Sequence, residues 1–104
     1  MGFLKKLFGG QGSSEQDHGV YVYVKLARSG EIVRLRIDPA HELNVDEDSG
    51  GYVSRKLIVG PRSYQRAEAT FQFNEAKHLL GGEIDGGEMT TEAEWLAQES
   101  RSGA

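Results

Sequence analysis

Tyr21, Tyr23 and Lys25 alternate along one short run of the chain, and Arg34 and Arg36 alternate along the next. Aromatic rings interleaved with cations suit two chemistries: stacking on single-stranded nucleic acid, and gripping an acidic peptide. Lys56, Tyr64 and Arg66 join this set if the strands that carry them pair in order. The same residues also fit an ordinary solvated sheet face, because Tyr and Thr favour strands and Arg pairs with Glu68 across them. The region 19–90 is mildly acidic, whereas a general nucleic-acid binder needs a basic footprint. The candidate contact residues are therefore Tyr21, Tyr23, Lys25, Arg34, Arg36 and Arg66. A protein is the first partner, and single-stranded nucleic acid is the alternative.

A second candidate lies at the start of the chain, MGFLKKLFGG. Phe3, Leu4, Leu7 and Phe8 fall at helical spacing, with Lys5 and Lys6 facing away. Burying four such side chains gains roughly 6–12 kcal/mol. Ordering eight residues costs about 8–16 kcal/mol in backbone entropy, and each lysine near anionic lipid returns about 1 kcal/mol. Docking on a membrane or a protein is thus weak and reversible, and a passive tail is the third reading. Gly2-Phe3-Leu4-Lys5-Lys6 lacks the Ser or Thr of a myristoylation motif.

Other patterns carry less. Counted from Asp46, a calcium loop would need Gly at its sixth position, which Gly51 supplies, and an acid at its twelfth, which is Leu57. His41 sits near Asp38 and Glu42 as a nominal base or ligand, but His18 and His78 are scattered elsewhere. Gly81-Gly82 and Gly86-Gly87 lack the Lys-Ser/Thr of a phosphate loop, and no Ser-His-Asp arrangement has motif context. No catalytic residue, metal ligand or cofactor is expected, so the chain does not read as an enzyme.

These residues must be positioned by strands. In VYVYVKLARSGEIVRLRI, residues 20–37, Val20, Val22, Val24 and Leu26 share one face, and Val33, Leu35 and Ile37 share a face of the second run. That is an antiparallel hairpin with one buried and one wet face. Asp38-Pro39 ends the second strand, and an acidic loop runs to Gly51. A third strand covers 52–59, and a fourth covers 64–73 with Ala67, Ala69, Phe71 and Phe73 inward. A weaker fifth spans 79–84 and is broken at Asp85-Gly86-Gly87. Thr91 with Glu94 is a capping-box pattern that starts a helix ending near Gln98. The turns Leu26-Ala27-Arg28-Ser29-Gly30 and Gly60-Pro61-Arg62-Ser63-Tyr64 echo each other.

Those paired turns resemble the knuckles of zinc ribbons. The runs GVYVYVKLARSGEIVRLRID, GGYVSRKLIVGPRSYQ and EIDGGEMTTEAEW resemble a family of small uncharacterised bacterial proteins. The resemblance implies Cys-x-x-Cys-Gly-Glu in the first turn and a further Cys in the later one. Leu26, Ser29 and Ser63 stand at the matching positions, and none is a thiolate. It therefore implies a ribbon without its metal and carries no function over. Structural zinc contributes strongly to folding such domains, so the apolar faces must substitute.

The chain of 104 residues has no cysteine and a net charge of −4. The expectation is a mainly β domain: a single small antiparallel sheet of four to five strands, two hairpins as in a zinc ribbon without metal, and a short C-terminal helix. Residues 1–10 form the amphipathic segment, 11–19 a Gly/Ser linker, 20–98 the β domain with its helix, and 99–104 a disordered tail. The expected role is a monomeric, non-catalytic interaction or adaptor domain in the cytoplasm, with weak docking of Phe3–Phe8 on a protein or on the inner face of a membrane.

Overall fold

A computed structural model describes residues 18–102 of the protein. The expected amphipathic segment, most of the linker and the last two residues lie outside them. Alternation of apolar and polar residues gives β1 (Val20–Leu26), β2 (Ile32–Ile37), β3 (Asn44–Val45), β4 (Tyr52–Val59), β5 (Arg66–Phe73), β6 (Leu79–Asp85) and β7 (Gly87–Thr90). One helix, α1 (Glu92–Ser102), follows. The fold is mainly β with antiparallel pairing throughout and one short C-terminal helix.

The strands form two sheets rather than one: β2-β1-β7 and β3-β4-β5-β6. The reason lies at Gly86-Gly87. Gly86 has φ of 100° and reverses the chain, so β7 leaves β6 and pairs with β1 through Leu26↔Gly87 to Tyr23↔Thr90. A Cβ on Gly87 would sit 2.6 Å from the Lys25 carbonyl oxygen, so only glycine lets the backbones close at this corner. Two short strands, β3 and β7, were not legible from the sequence, being two and four residues long.

The two sheets meet through Val22, Val24, Leu26 and Ile37 on one side and Ile58, Ala67, Ala69, Phe71 and Phe73 on the other. These are the inward faces expected for β1, β2 and β5. Phe71 pairs directly with Gly82, and its ring lies where a side chain at Gly82 would stand; an added Cβ would come within 2.6 Å of Phe71 Cδ1. The glycine pair in β6 thus makes room for a core ring.

The helix starts as its capping pattern predicts, with Thr91 Oγ1 accepting the Glu94 N–H at 3.2 Å. It continues past Gln98 to Ser102 instead of fraying there. Gln98 and Glu99 hold that last stretch. The Gln98 side chain accepts the Ile32 N–H at 2.7 Å and donates to the Ile32 carbonyl at 2.9 Å, satisfying both groups on the edge strand β2. Glu99 lies 3.5 Å from Arg62. Among the described residues no helix is long and apolar enough to cross a membrane.

Candidate functional site

Three hairpin turns share one design. In Leu26–Glu31, the Gly30 N–H donates to the Leu26 carbonyl, and the Leu26 N–H donates to Glu31 O. Gly60–Gln65 and Asp46–Gly51 repeat both bonds. In each turn a serine hydroxyl (Ser29, Ser63, Ser49) accepts the N–H two residues on. The residue between has positive φ: Gly30 at 76°, Gly50 at 82° and Tyr64 at 60°. The left-handed region costs an L-residue about 1–2 kcal/mol relative to glycine. Tyr64 is thus the one bulky side chain where the sister turns use glycine.

The Leu26–Glu31 and Gly60–Gln65 turns join the two sheets. The Glu31 carboxylate is buried and accepts the N–H groups of Arg62 and Ser63, both at 3.0 Å, and the Ser63 hydroxyl at 2.8 Å. In return, Gln65 Oε1 accepts the Ser29 N–H at 2.9 Å. Gly60 lies beneath the carboxylate; a Cβ there would meet Ser63 Oγ at 2.7 Å and Leu26 Cδ1 at 2.8 Å. Burial raises the Glu31 pKa, but the Ser63 hydroxyl, the two backbone N–H groups and nearby Arg62 outweigh it and hold the carboxyl below its ordinary value.

The Tyr/Arg set divides. Tyr21, Tyr23, Lys25, Arg34 and Arg36 do share the outer region of the β2-β1-β7 sheet, with Tyr21↔Arg36 and Tyr23↔Arg34 in register. That face is wet only in part: Tyr21, Arg34 and Arg36 are exposed, but α1 lies over Tyr23. Trp95 stacks on Tyr23 with ring centroids 5.8 Å apart, leaving Tyr23 9% exposed. The Arg34 guanidinium sits 4.1 Å from the Tyr21 ring centre and 5.1 Å from that of Trp95. Of this set, Tyr23 and Arg34 contact Trp95 of the helix. Arg66 belongs to the other sheet, and Lys56 points to that sheet's inner side, where it pairs with Glu42. The Lys56 ammonium, ahead of the Asp38 N–H, keeps the Glu42 carboxyl below its ordinary value despite partial burial.

The acidic loop is a closed turn. Asp46 accepts the Asp48 N–H at 3.2 Å and the Ser49 hydroxyl at 2.9 Å. Among the described residues no group of His, Asp and Glu is placed to hold a metal ion. His41 Nδ1 lies 2.7 Å from Asp38 in the exposed loop after β2, and this contact, with the Ala40 N–H, holds the Asp38 carboxyl low. His18 and His78 are exposed elsewhere.

The surface left uncovered is the outer face of β4, β5 and β6. Leu57 is 57% exposed, Val59 44% and Tyr64 76%. Tyr64 and Leu57 line a shallow groove of about 630 Å³ with Arg28, Arg66, Glu68 and Asp85. An adjoining depression of about 540 Å³ shares Leu57, Glu68 and Asp85 and runs on to Arg55 and Glu83. Glu68 stands directly across from Asp85, and Glu83 is paired with the neighbouring Thr70. Arg28, Arg55 and Arg66 line the same depressions, so the face carries both signs of charge. The alternation in YVSRKLIV already places Leu57 and Val59 opposite buried Ile58, and the turn echo aligns Tyr64 with Gly30. Neither signal says which side of β4 is buried; the burial of Ile58 does.

No protein-family model matches the chain, and no curated protein or solved structure does either.

Proposed function

We propose that this protein is a non-catalytic interaction domain whose contact surface is the outer face of β4, β5 and β6. The partner is a protein segment that presents apolar side chains flanked by charges of both signs. The carrying observation is Tyr64, held at φ of 60° and 76% exposed at the mouth of the groove. A bulky residue in a strained conformation, with its ring in water, supports reading this turn as part of a contact site. Leu57 supplies the apolar floor, with Val59 exposed beside it, and Arg28, Arg55 and Arg66 share the rim with Glu68, Glu83 and Asp85. The facing turns and the Glu31 bridge support reading the chain as a ribbon-like domain in which a carboxylate makes the cross-link that thiolates and a metal make elsewhere. The nucleic-acid reading loses its support, because its stacking platform needs Tyr23 open, and Trp95 covers it.

The test is a titration of the full chain with a short amphipathic peptide of Leu, Phe, Lys and Glu, followed by amide chemical shifts at low salt. Saturable shifts at Leu57, Tyr64, Glu68 and Asp85 are expected, and Leu57→Glu should weaken binding at least tenfold. Shifts centred on Tyr21 and Arg34, or tighter binding of oligothymidylate than of the peptide, would overturn the reading.

A further inference from the structure

We infer that the protein partner of the contact surface just proposed is a second copy of this chain, a step that rests on that surface being the contact site. Two copies pack the outer face of β4, β5 and β6 against itself, about a two-fold axis that runs across the strands. The order of residues on that face fits such a pairing. Leu57 stands beside Glu68 and, two residues along, Val59 stands beside Arg66. All four side chains are exposed. Alternate residues of a strand lie about 6.6–6.8 Å apart on one face. The four thus form a small block, apolar on β4 and oppositely charged on β5. An axis midway between the two rows sets Leu57 over Val59 of the second copy and Glu68 over its Arg66. By symmetry each contact is made twice.

The surroundings obey the same rotation. Arg28 lies past the end of β6, where the Ala27 N–H meets the Gly86 carbonyl, and it lines the groove that holds Asp85. The rotation carries it towards Asp85 and Glu83 of the second copy. Tyr64 sits in the turn before Arg66, and the rotation carries it towards Arg55, where an aromatic ring suits a guanidinium. The other two-fold arrangement, with its axis along β5, stacks Glu68 on Glu68 and Arg66 on Arg66, and like charges oppose it. Arg28, Arg55 and Arg66 balance Glu68, Glu83 and Asp85, so copies of a chain with net charge −4 meet on a neutral face. Facing strands stay nearly antiparallel, within the roughly 30° usual for aligned sheets. The overlap is three strands wide and four rows long, about 14 by 26 Å. That is the small end of specific interfaces, so pairing is reversible and another segment of similar chemistry competes with it. Leu57 and Val59 supply the attraction, and the exposed ion pairs mainly set the orientation.

Sedimentation velocity of the full chain, from micromolar to millimolar concentration, should show a monomer–dimer equilibrium. Dilution should shift the Leu57, Val59, Arg66 and Glu68 amides and leave Tyr21 and Arg34 in place. Arg66→Glu alone, or Glu68→Arg alone, should weaken pairing about tenfold or more, because each sets like charges together. An equimolar mixture of these two variants should pair at least as tightly as the parent, since every acid then meets an arginine. The chain carrying both Arg66→Glu and Glu68→Arg should pair with itself as the parent does. If a reversal unfolds the chain, the parent's dilution shifts still decide between this face and another. Three results would overturn the inference: a monomer at every concentration, a dimer that both reversals leave intact, or folded reversal variants that stay monomeric when mixed. If the amphipathic peptide still shifts Leu57, Tyr64, Glu68 and Asp85 in any of these cases, the contact surface stands and the second copy falls. If the peptide does not bind either, both fall.

Discussion

Glu31→Ala should lower the unfolding free energy by about 2–4 kcal/mol, a large share of the roughly 5–15 kcal/mol of a small domain. The substitution removes one carboxylate but strands three donors: the Arg62 N–H, the Ser63 N–H and the Ser63 hydroxyl. These donors belong to the β4–β5 turn, while Glu31 follows the β1–β2 turn, so the loss falls on the junction between the two sheets. The melting temperature should drop by about 10 °C or more. Exposed Glu47, in the sister turn, serves as the control, and Glu47→Ala should leave the transition unchanged. The pH dependence has a definite sign. Because the folded protein holds the Glu31 pKa below its ordinary value of 4.5, the contribution is complete above that value. It is lost as the pH falls below 4.5 and through the folded value. Glu42, depressed in the same direction from 4.5, acts in the same window, and Asp38, depressed from 3.8, acts in a lower one. The Glu31→Ala variant should therefore show a flatter loss of stability on acidification, measured by chemical denaturation between pH 7 and 3.

Phe71→Ala should cost about 3–5 kcal/mol, the usual range for emptying a fully buried aromatic site. Phe71 is 0% exposed and lies over Gly82 on the neighbouring strand. The same geometry makes Gly82→Ala unfavourable by about 1–3 kcal/mol, because the new methyl meets the ring rather than space. In the Phe71→Ala background that penalty should vanish, which gives a coupling of about 1–3 kcal/mol in a double-mutant cycle. If Phe71→Ala does not fold, Phe71→Leu provides the background. The pair matters to the surface as well as the core. Its register, Phe71↔Gly82, is the one that sets Glu68 opposite Asp85 on the other face. A shifted β6 would dismantle that charged rim.

The strands were legible wherever alternation ran for six residues or more, as in β1, β2, β4 and β5. The capped start of α1 was legible because Thr91 and Glu94 are neighbours in sequence. The division into two sheets was not, because it depends on Gly87 approaching the Lys25 carbonyl, a contact across some sixty residues. The Tyr/Arg face illustrates the limit differently. Tyr21, Tyr23, Lys25, Arg34 and Arg36 share a face and Arg66 lies on the other sheet, yet alternation alone cannot say whether a face meets water or another element of the same chain. Trp95 answered that, from a helix whose sequence shows only a small apolar face. The groove was hidden for the opposite reason: Leu57 and Val59 look like core residues until Ile58 is seen to take the buried side.

The most direct test of the account is the peptide affinity of Tyr64→Gly. Glycine removes a left-handed penalty of about 1–2 kcal/mol and gives back about 0.5–1 kcal/mol through its freer unfolded chain. The variant should thus be at least as stable as the parent while it binds the amphipathic peptide at least tenfold more weakly. Unchanged affinity in a folded Tyr64→Gly protein would contradict the assignment of this face as the contact surface.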